Sequence, residues 1–98
     1  PEVLLHALSS CLTGAMVYHA AANGVNIEGA ESSIQGNADL HGFLGLDPEV
    51  RMGFDGIKFR LKVKSDATAE QLENFAKFSP VFDMISNPTP ISIEIVKQ

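Results

Sequence analysis

The residue best suited to chemistry in this sequence is its single cysteine, Cys11. A cysteine attacks as the thiolate, which a nearby cation stabilises. The surrounding residues 3–22 include no Asp, Glu, Lys or Arg, and the only arginines of the chain are Arg51 and Arg60. From the residues alone, Cys11 is therefore either a nucleophile that depends on a distant cation or an inert thiol in an apolar core.

Histidine is the other side chain that could take part in such chemistry, and the chain has His6, His19 and His41. Their spacing matches no metal-binding pattern such as CxxC or HxxxH. A Cys–His hydrolytic pair through His41 has no supporting motif. The sequence predicts no metal site and no cofactor.

The stretch that carries Cys11 is predicted to form one long helix over Pro1–Gly24. Pro1 and Glu2 are typical of a helix start, and Asn23-Gly24 of a helix end. A helix that is apolar nearly all round is buried all round, so we expect a second copy of the chain to cover its second face. One stripe is large and apolar (Leu4, Leu5, Leu8, Cys11, Leu12, Ala15, Met16, His19), and the opposite one is small (Ala7, Ser10, Gly14, Val17, Ala21).

A membrane span is an alternative for this helix, because its length would suffice. Polar residues inside it and the lack of flanking basic residues argue against a span. It also lacks the basic start of a signal peptide. We expect no membrane association.

The rest of the chain alternates between strand and helix signals. Phe54–Lys64 has the clearest period of two, which turns Ile57, Phe59, Leu61 and Val63 inward. A capping box at residues 68–71 and the Ser79-Pro80 pair each begin a helix. The order predicts an α+β fold with an antiparallel sheet. The remaining predicted elements are a strand over Val25–Leu40, a loop over His41–Gly53, a short helix over Val81–Ser86 and a last strand over Ile91–Val96.

Two surfaces outside the helix have alternative interpretations. The outward residues Lys58, Arg60, Lys62 and Lys64 are either a charge-matched sheet surface opposite Glu28, Glu31 and Asp39, which we favour, or an anion site. The apolar loop His41–Gly53 either folds back on its own core, which we favour, or covers a pocket or a partner.

Size and charge narrow the class of protein further. Ninety-eight residues make a single domain, 1–98, with a modest core. A net charge of −5 argues against a general nucleic-acid binder. A single cysteine excludes an internal disulfide and is typical of a reducing compartment, so we expect a cytoplasmic protein.

Four segments of the sequence resemble successive blocks of the OsmC/Ohr family. The segment around Cys11 is similar to the one that carries the family's peroxidatic cysteine. Three later blocks are similar to an OsmC-like branch, and the resemblance covers the whole chain. The four blocks are PEVLLHALSSCLT (1–13), GNADLHGFLG (36–45), GFDGI (53–57) and SPVFD (79–83).

The resemblance implies an OsmC-like fold: a long buried central helix on an antiparallel sheet, in an intertwined homodimer. It also implies reduction of organic hydroperoxides in defence against oxidative stress, with a sulfenic acid formed at Cys11 and an external thiol as reductant. Where members of the family have an acidic partner near the start of this helix, Glu2 is the matching candidate; its alternative role is a helix-dipole residue.

Three features depart from the family pattern. The second cysteine of the family corresponds to Ser79, so no internal resolving disulfide can form. The family's thiolate-stabilising arginine lies on strands that precede the cysteine helix, and such strands are absent from this sequence. We therefore expect the chain to match the C-terminal two thirds of the family domain, as a fragment or a short member.

Two functions follow as hypotheses. The first is a one-Cys peroxidase that acts on a small hydrophobic hydroperoxide. The second is a non-catalytic OsmC-like domain that binds a small apolar ligand at the dimer interface. A cation close to Cys11 favours the first, and a sealed apolar setting favours the second.

Overall fold

The computed structural model describes residues 1–97 as one long helix packed on a two-stranded sheet and two shorter helices. This arrangement confirms the predicted α+β class. The elements are α1 (Glu2–Ala22), β1 (Ile27–Ala38), α2 (Leu40–Phe43), β2 (Phe54–Ser65), α3 (Ala69–Ala76) and α4 (Pro80–Ser86).

Helix α1 ends where the sequence predicts. The Asn23 side chain donates a hydrogen bond to the His19 carbonyl over 2.7 Å, and the Val25 amide donates to the Ala20 carbonyl over 2.8 Å. Gly24 has a φ of 70°, a left-handed conformation that glycine adopts without strain. These contacts satisfy the last carbonyls of the helix and turn the chain toward β1.

Strands β1 and β2 pair antiparallel, with Ile34 opposite Phe59 and Gly36 opposite Ile57. The inward residues of β2 (Ile57, Phe59, Leu61, Val63) are half-buried against the core, as the alternation predicts. No side chain could replace the hydrogen of Gly36 without meeting the Phe54 ring, so glycine lets that ring cover the end of the sheet.

The outer face of the sheet largely confirms the charge-matched interpretation. Glu31 lies opposite Lys62, and Glu28 pairs with Lys64 over 3.5 Å. The expectation for Asp39 is wrong, because its carboxylate accepts hydrogen bonds from His41 at the start of α2 instead.

The core lies where α1 crosses β1, α3 and α4. Ser9 and Ser32 share a hydrogen bond of 3.3 Å, which fixes the middle of α1 over β1. Thr68 and Ser79 accept hydrogen bonds from the amides of Gln71 and Phe82, so both predicted N-caps are confirmed. The buried core residues are Leu8, Leu12, Met16, Ala20, Phe75 and Ala76.

The preferred interpretation of the loop at His41–Gly53 is wrong. The first residues of this loop belong to α2, and the large apolar side chains of the loop do not pack on the core of their own chain. Gly42 instead packs against the carbonyl of Arg51, which closes the loop on its own backbone. The exposed side chains are Phe43, Leu44, Leu46 and Met52, at 61–75%.

The predicted last strand over Ile91–Val96 is also wrong for the single chain. Residues 88–97 include no strand or helix. The alternating isoleucines have no neighbouring strand in the described part of the chain, so they remain exposed.

Helix α1 is long and apolar enough to cross a membrane, with a mean hydropathy of 1.3 over its most apolar window. The core helix of a water-soluble fold meets the same criterion. Here the side of α1 that carries Leu8, Leu12 and Met16 packs on the other elements of the chain.

Candidate functional site

Cys11 lies at the middle of α1 and is half-buried. Its helical neighbours Leu8 and Leu12 belong to the buried core, whereas Ser10 and Gly14 are exposed. At 100° per residue the thiol falls between these two sides of the helix. A thiol in this position borders the core and still retains a path to small molecules.

The helix around Cys11 carries no charged residue, because positions 3–22 include no Asp, Glu, Lys or Arg. Among residues 1–97, no hydrogen bond or ion pair engages the Sγ atom. Arg60 points away from α1, on the outer face of the sheet opposite Ser33, and Arg51 is exposed in the loop after α2. Neither arginine of this chain donates a hydrogen bond to the thiol.

Glu2 and Cys11, the two predicted site residues, are not brought together within one chain. They are nine positions apart on α1, which is roughly 13.5 Å along the axis and half a turn round it. The Glu2 side chain is exposed, and the hydrogen bond from its own backbone amide lowers its pKa. A joint role for the two residues stays a prediction, and it requires a second helix.

Ser79 is a buried polar residue, with an exposed fraction of 1%. Its hydroxyl accepts a hydrogen bond from the Phe82 amide over 3.1 Å and begins α4. Because α4 packs on α1, Ser79 is held against the helix that carries the thiol. Its structural role as an N-cap is therefore established, and its proximity to Cys11 remains a prediction.

The sequence analysis missed one pair of polar residues. The Asp39 carboxylate lies 2.6 Å from His41 Nδ1 and 3.0 Å from the His41 amide. The backbone hydrogen bond from His41, and then the one from its ring, lowers the pKa of Asp39. The signal was an Asp two residues before a His at a helix start. The pair orients an exposed imidazole, but no nucleophile pairs with it in the described residues.

A second feature that the sequence did not reveal is a half-open pocket of about 350 Å³ between β2 and α3, with Glu73 among its mostly apolar lining residues. Phe59, Leu61 and Val63 form its sheet side, and Leu72 and Ala76 form its helix side. Among residues 1–97, no group of three His, Cys, Asp or Glu side chains is placed to hold a metal ion.

The structure is a long helix with a half-buried cysteine, packed on an antiparallel sheet, so the protein is an α+β domain with a single thiol. The sequence model described as OsmC-like protein matches residues 1–94. The chain therefore belongs to the OsmC-like protein family, which confirms the resemblance drawn from the four sequence blocks.

A solved structure supports the same fold. The crystal structure of an OsmC-like protein from Mycoplasma pneumoniae superimposes with a TM-score of 0.70 at 17% identity, over 88% of this chain and 60% of that one. The chain thus spans 60% of the length of this structural relative. No curated protein sequence matches the chain.

Proposed function

We propose that this chain reduces small hydrophobic hydroperoxides through Cys11, as a one-Cys peroxidase that draws on an external thiol. The observation that carries the proposal is the half-buried thiol at the middle of the central helix of an OsmC-like fold. Its apolar surroundings suit the organic part of a hydroperoxide, and its partial exposure admits the peroxide group.

The proposed reaction has two stages. The Cys11 thiolate attacks the distal oxygen of ROOH, so that an S–O bond forms and the O–O bond breaks. The alkoxide leaving group takes up a proton and departs as the alcohol ROH. Cys11 is then a sulfenic acid. One external thiol displaces water to form a mixed disulfide, and a second thiol releases Cys11 and leaves as a disulfide. ROOH and two thiols become ROH, water and one disulfide.

The proposal includes a homodimer built on α1. The stripe Ser10, Gly14, Val17 and Ala21 faces solvent in the single chain, and its small side chains allow another backbone to approach closely. The radius of gyration is 17.0 Å, whereas a compact domain of this length has about 13 Å. A single chain is therefore more open than a self-sufficient domain.

We expect light scattering at micromolar concentration to give the mass of two chains. Obligate interfaces of this kind bury more than about 2,000 Å² in total, which is enough to keep the dimer intact on dilution. A stable monomer at that concentration would contradict the proposed dimer.

The direct test of the peroxidase is the oxidation state of Cys11. After one equivalent of cumene hydroperoxide, mass spectrometry should detect a sulfenic acid at Cys11, trapped by dimedone, and consumption of the hydroperoxide should require added dithiothreitol. Cys11→Ser should lower the turnover to the uncatalysed rate, because it removes the nucleophile. An unmodified thiol under these conditions would overturn the proposal.

The second candidate function is a non-catalytic domain that binds an apolar ligand at the dimer interface. The exposed apolar side chains of Phe43, Leu44, Leu46 and Met52, together with the lack of charged residues on the helix around Cys11, favour it. A fatty acid that raises the Tm of both wild type and Cys11→Ser, while Cys11 stays reduced in hydroperoxide, would select this function, since a bound ligand stabilises the folded state.

A further inference from the structure

The basic side chains on the outer face of β2 are matched by acidic residues of β1 along only half of their row. Lys62 lies opposite Glu31 in the strand register. Lys64 forms an ion pair with Glu28 over 3.5 Å. The charge-matched interpretation of this face therefore applies to the end of β2, which pairs with the start of β1.

The other half of the row has no acidic partner. Arg60 lies opposite Ser33. In the same register Lys58 lies opposite Gln35, so each cation faces a neutral polar side chain. No ion pair involves Lys58 or Arg60 among residues 1–97. Two like charges about 7 Å apart repel each other, and an anion held between them removes that repulsion.

A half-open pocket of about 190 Å³ lies on the outer face, between the two unmatched cations and their neutral partners. Residues directly opposite each other on antiparallel strands have α carbons about 4.5–5.5 Å apart, and alternate residues along a strand are about 7 Å apart. The corners of the pocket are therefore spaced to contact one small group at the same time. The lining has no carboxylate and is formed by Ser33, Ile34, Gln35, Lys58 and Arg60.

The hydrogen-bond donors around this pocket suit a phosphate group. The guanidinium of Arg60 and the ammonium of Lys58 are donors only, and the hydroxyl of Ser33 and the amide of Gln35 add donors on the β1 side. An arginine binds two phosphate oxygens through parallel hydrogen bonds, whereas a lysine adds a point charge. A tetrahedral phosphate has oxygens directed to both strands, which a planar carboxylate lacks.

The charge of the whole chain limits the size of the ligand. With a net charge of −5, the protein repels a polyanion such as a nucleic acid at long range. Salt screens this repulsion beyond about 8 Å, so a small anion inside the pocket interacts mainly with the two cations beside it. The outer face therefore favours a single phosphate group over a chain of them.

We propose that the pocket between Lys58 and Arg60 binds one phosphate group, either as the free ion or as the monoester of a small molecule. The two cations hold the phosphate from β2, and the side chains of Ser33 and Gln35 donate hydrogen bonds from β1. The inward residues of β2 pack on the core with α1, so the pocket is on the opposite face of the sheet from the helix that carries Cys11. The site is therefore separate from the proposed peroxidase chemistry.

A titration followed by NMR tests this site on the full chain. Inorganic phosphate, phenyl phosphate and acetate are each added at constant ionic strength, so that a general salt effect does not shift the signals. We expect saturable shifts of the backbone amide signals of Ser33, Gln35 and Arg60 with phosphate, and about tenfold weaker binding of acetate, which forms fewer charge-assisted hydrogen bonds. Saturation by both phosphates assigns a monoester as ligand, and saturation by inorganic phosphate alone assigns the free ion. Acetate binding as tight as that of phosphate would overturn the proposal.

Three outward substitutions separate the pocket from the rest of the basic row. Arg60→Gln and Lys58→Gln should each weaken the binding of inorganic phosphate about tenfold, because each removes a charge-assisted hydrogen bond. Lys64→Gln is the matched control, since it makes the same change of charge on the same face about 13 Å from Arg60, and it should weaken binding less than about twofold. Equal weakening by all three variants would contradict the proposal, because binding would then be a general attraction to a basic surface.

A substitution on β1 gives a readout that keeps both cations. Gln35→Glu places a carboxylate opposite Lys58, as Glu31 already lies opposite Lys62, and should abolish phosphate binding without lowering the Tm. If Gln35→Glu bound phosphate as tightly as the wild type, the pocket would not be the site. Cys11→Ser should bind phosphate like the wild type, so the result does not depend on the peroxidase proposal.

Discussion

Leu12→Asp is expected to prevent folding of the domain. Leu12 is 6% exposed and packs with Leu8 and Met16 between α1 and the other elements. An unpaired carboxylate at this position costs several kcal/mol, which is a large part of the roughly 5–15 kcal/mol that stabilises a typical domain. Circular dichroism should detect the loss of helix and of a cooperative melting transition.

Two variants serve as controls for this prediction. Val3→Asp introduces the same carboxylate on the same helix at an exposed position, near the positive end of the helix dipole. Lys62→Ala removes an exposed charge and should change stability by no more than about 0.5 kcal/mol. If Leu12→Asp melted at the same temperature as Val3→Asp, this side of α1 would not be the core.

The elements that the sequence predicted correctly are those set by local interactions. The period of two in β2 fixes which residues face the core, and the N-caps Thr68 and Ser79 bond to amides three residues away. The C-terminal end of α1 follows in the same way from Asn23 and Gly24. Such features depend on a few neighbouring residues, so the sequence is sufficient to predict them.

The errors concern segments whose structure depends on distant partners. Alternation in Ile91–Val96 predicts a strand, but a strand also needs a neighbour, and the single chain provides none among its described residues. For the loop around Phe43 and Leu46, the sequence analysis favours folding back on the core, but both side chains are exposed. The composition of a segment does not specify whether its apolar side chains pack against the same chain or against another.

The candidate site was predictable only in part for the same reason. Cys11 was evident, since it is the single thiol and lies on an apolar helix. The Asp39–His41 contact is local but was missed, because two polar residues separated by one position at a loop entrance rarely signal a fixed geometry. The separation of Glu2 from Cys11 follows from helix geometry and directs attention to contacts between chains.

The second large effect is expected at Ser79. If the chemistry proposed for Cys11 operates, Ser79 occupies the position of a resolving thiol, close to Cys11 after a small movement. A serine hydroxyl does not condense with a sulfenic acid, so in the wild type oxidised Cys11 should persist or become overoxidised. Ser79→Cys should instead yield an intrachain disulfide with Cys11 after hydroperoxide treatment. A disulfide needs α carbons within about 7 Å, so this product would show that the two positions approach each other to that distance.

Two controls separate this geometry from other effects of the substitution. Ser79→Ala should lower the stability by about 1 kcal/mol, because the Phe82 amide loses its cap, and should leave the reaction of Cys11 with hydroperoxide unchanged. Ser33→Cys places a thiol on the outer face of the sheet, away from α1, and should give no intrachain disulfide. If oxidised Ser79→Cys retains two free thiols, or cross-links only between chains, Ser79 is not the resolving position. The peroxidase proposal would then rest on the oxidation of Cys11 alone.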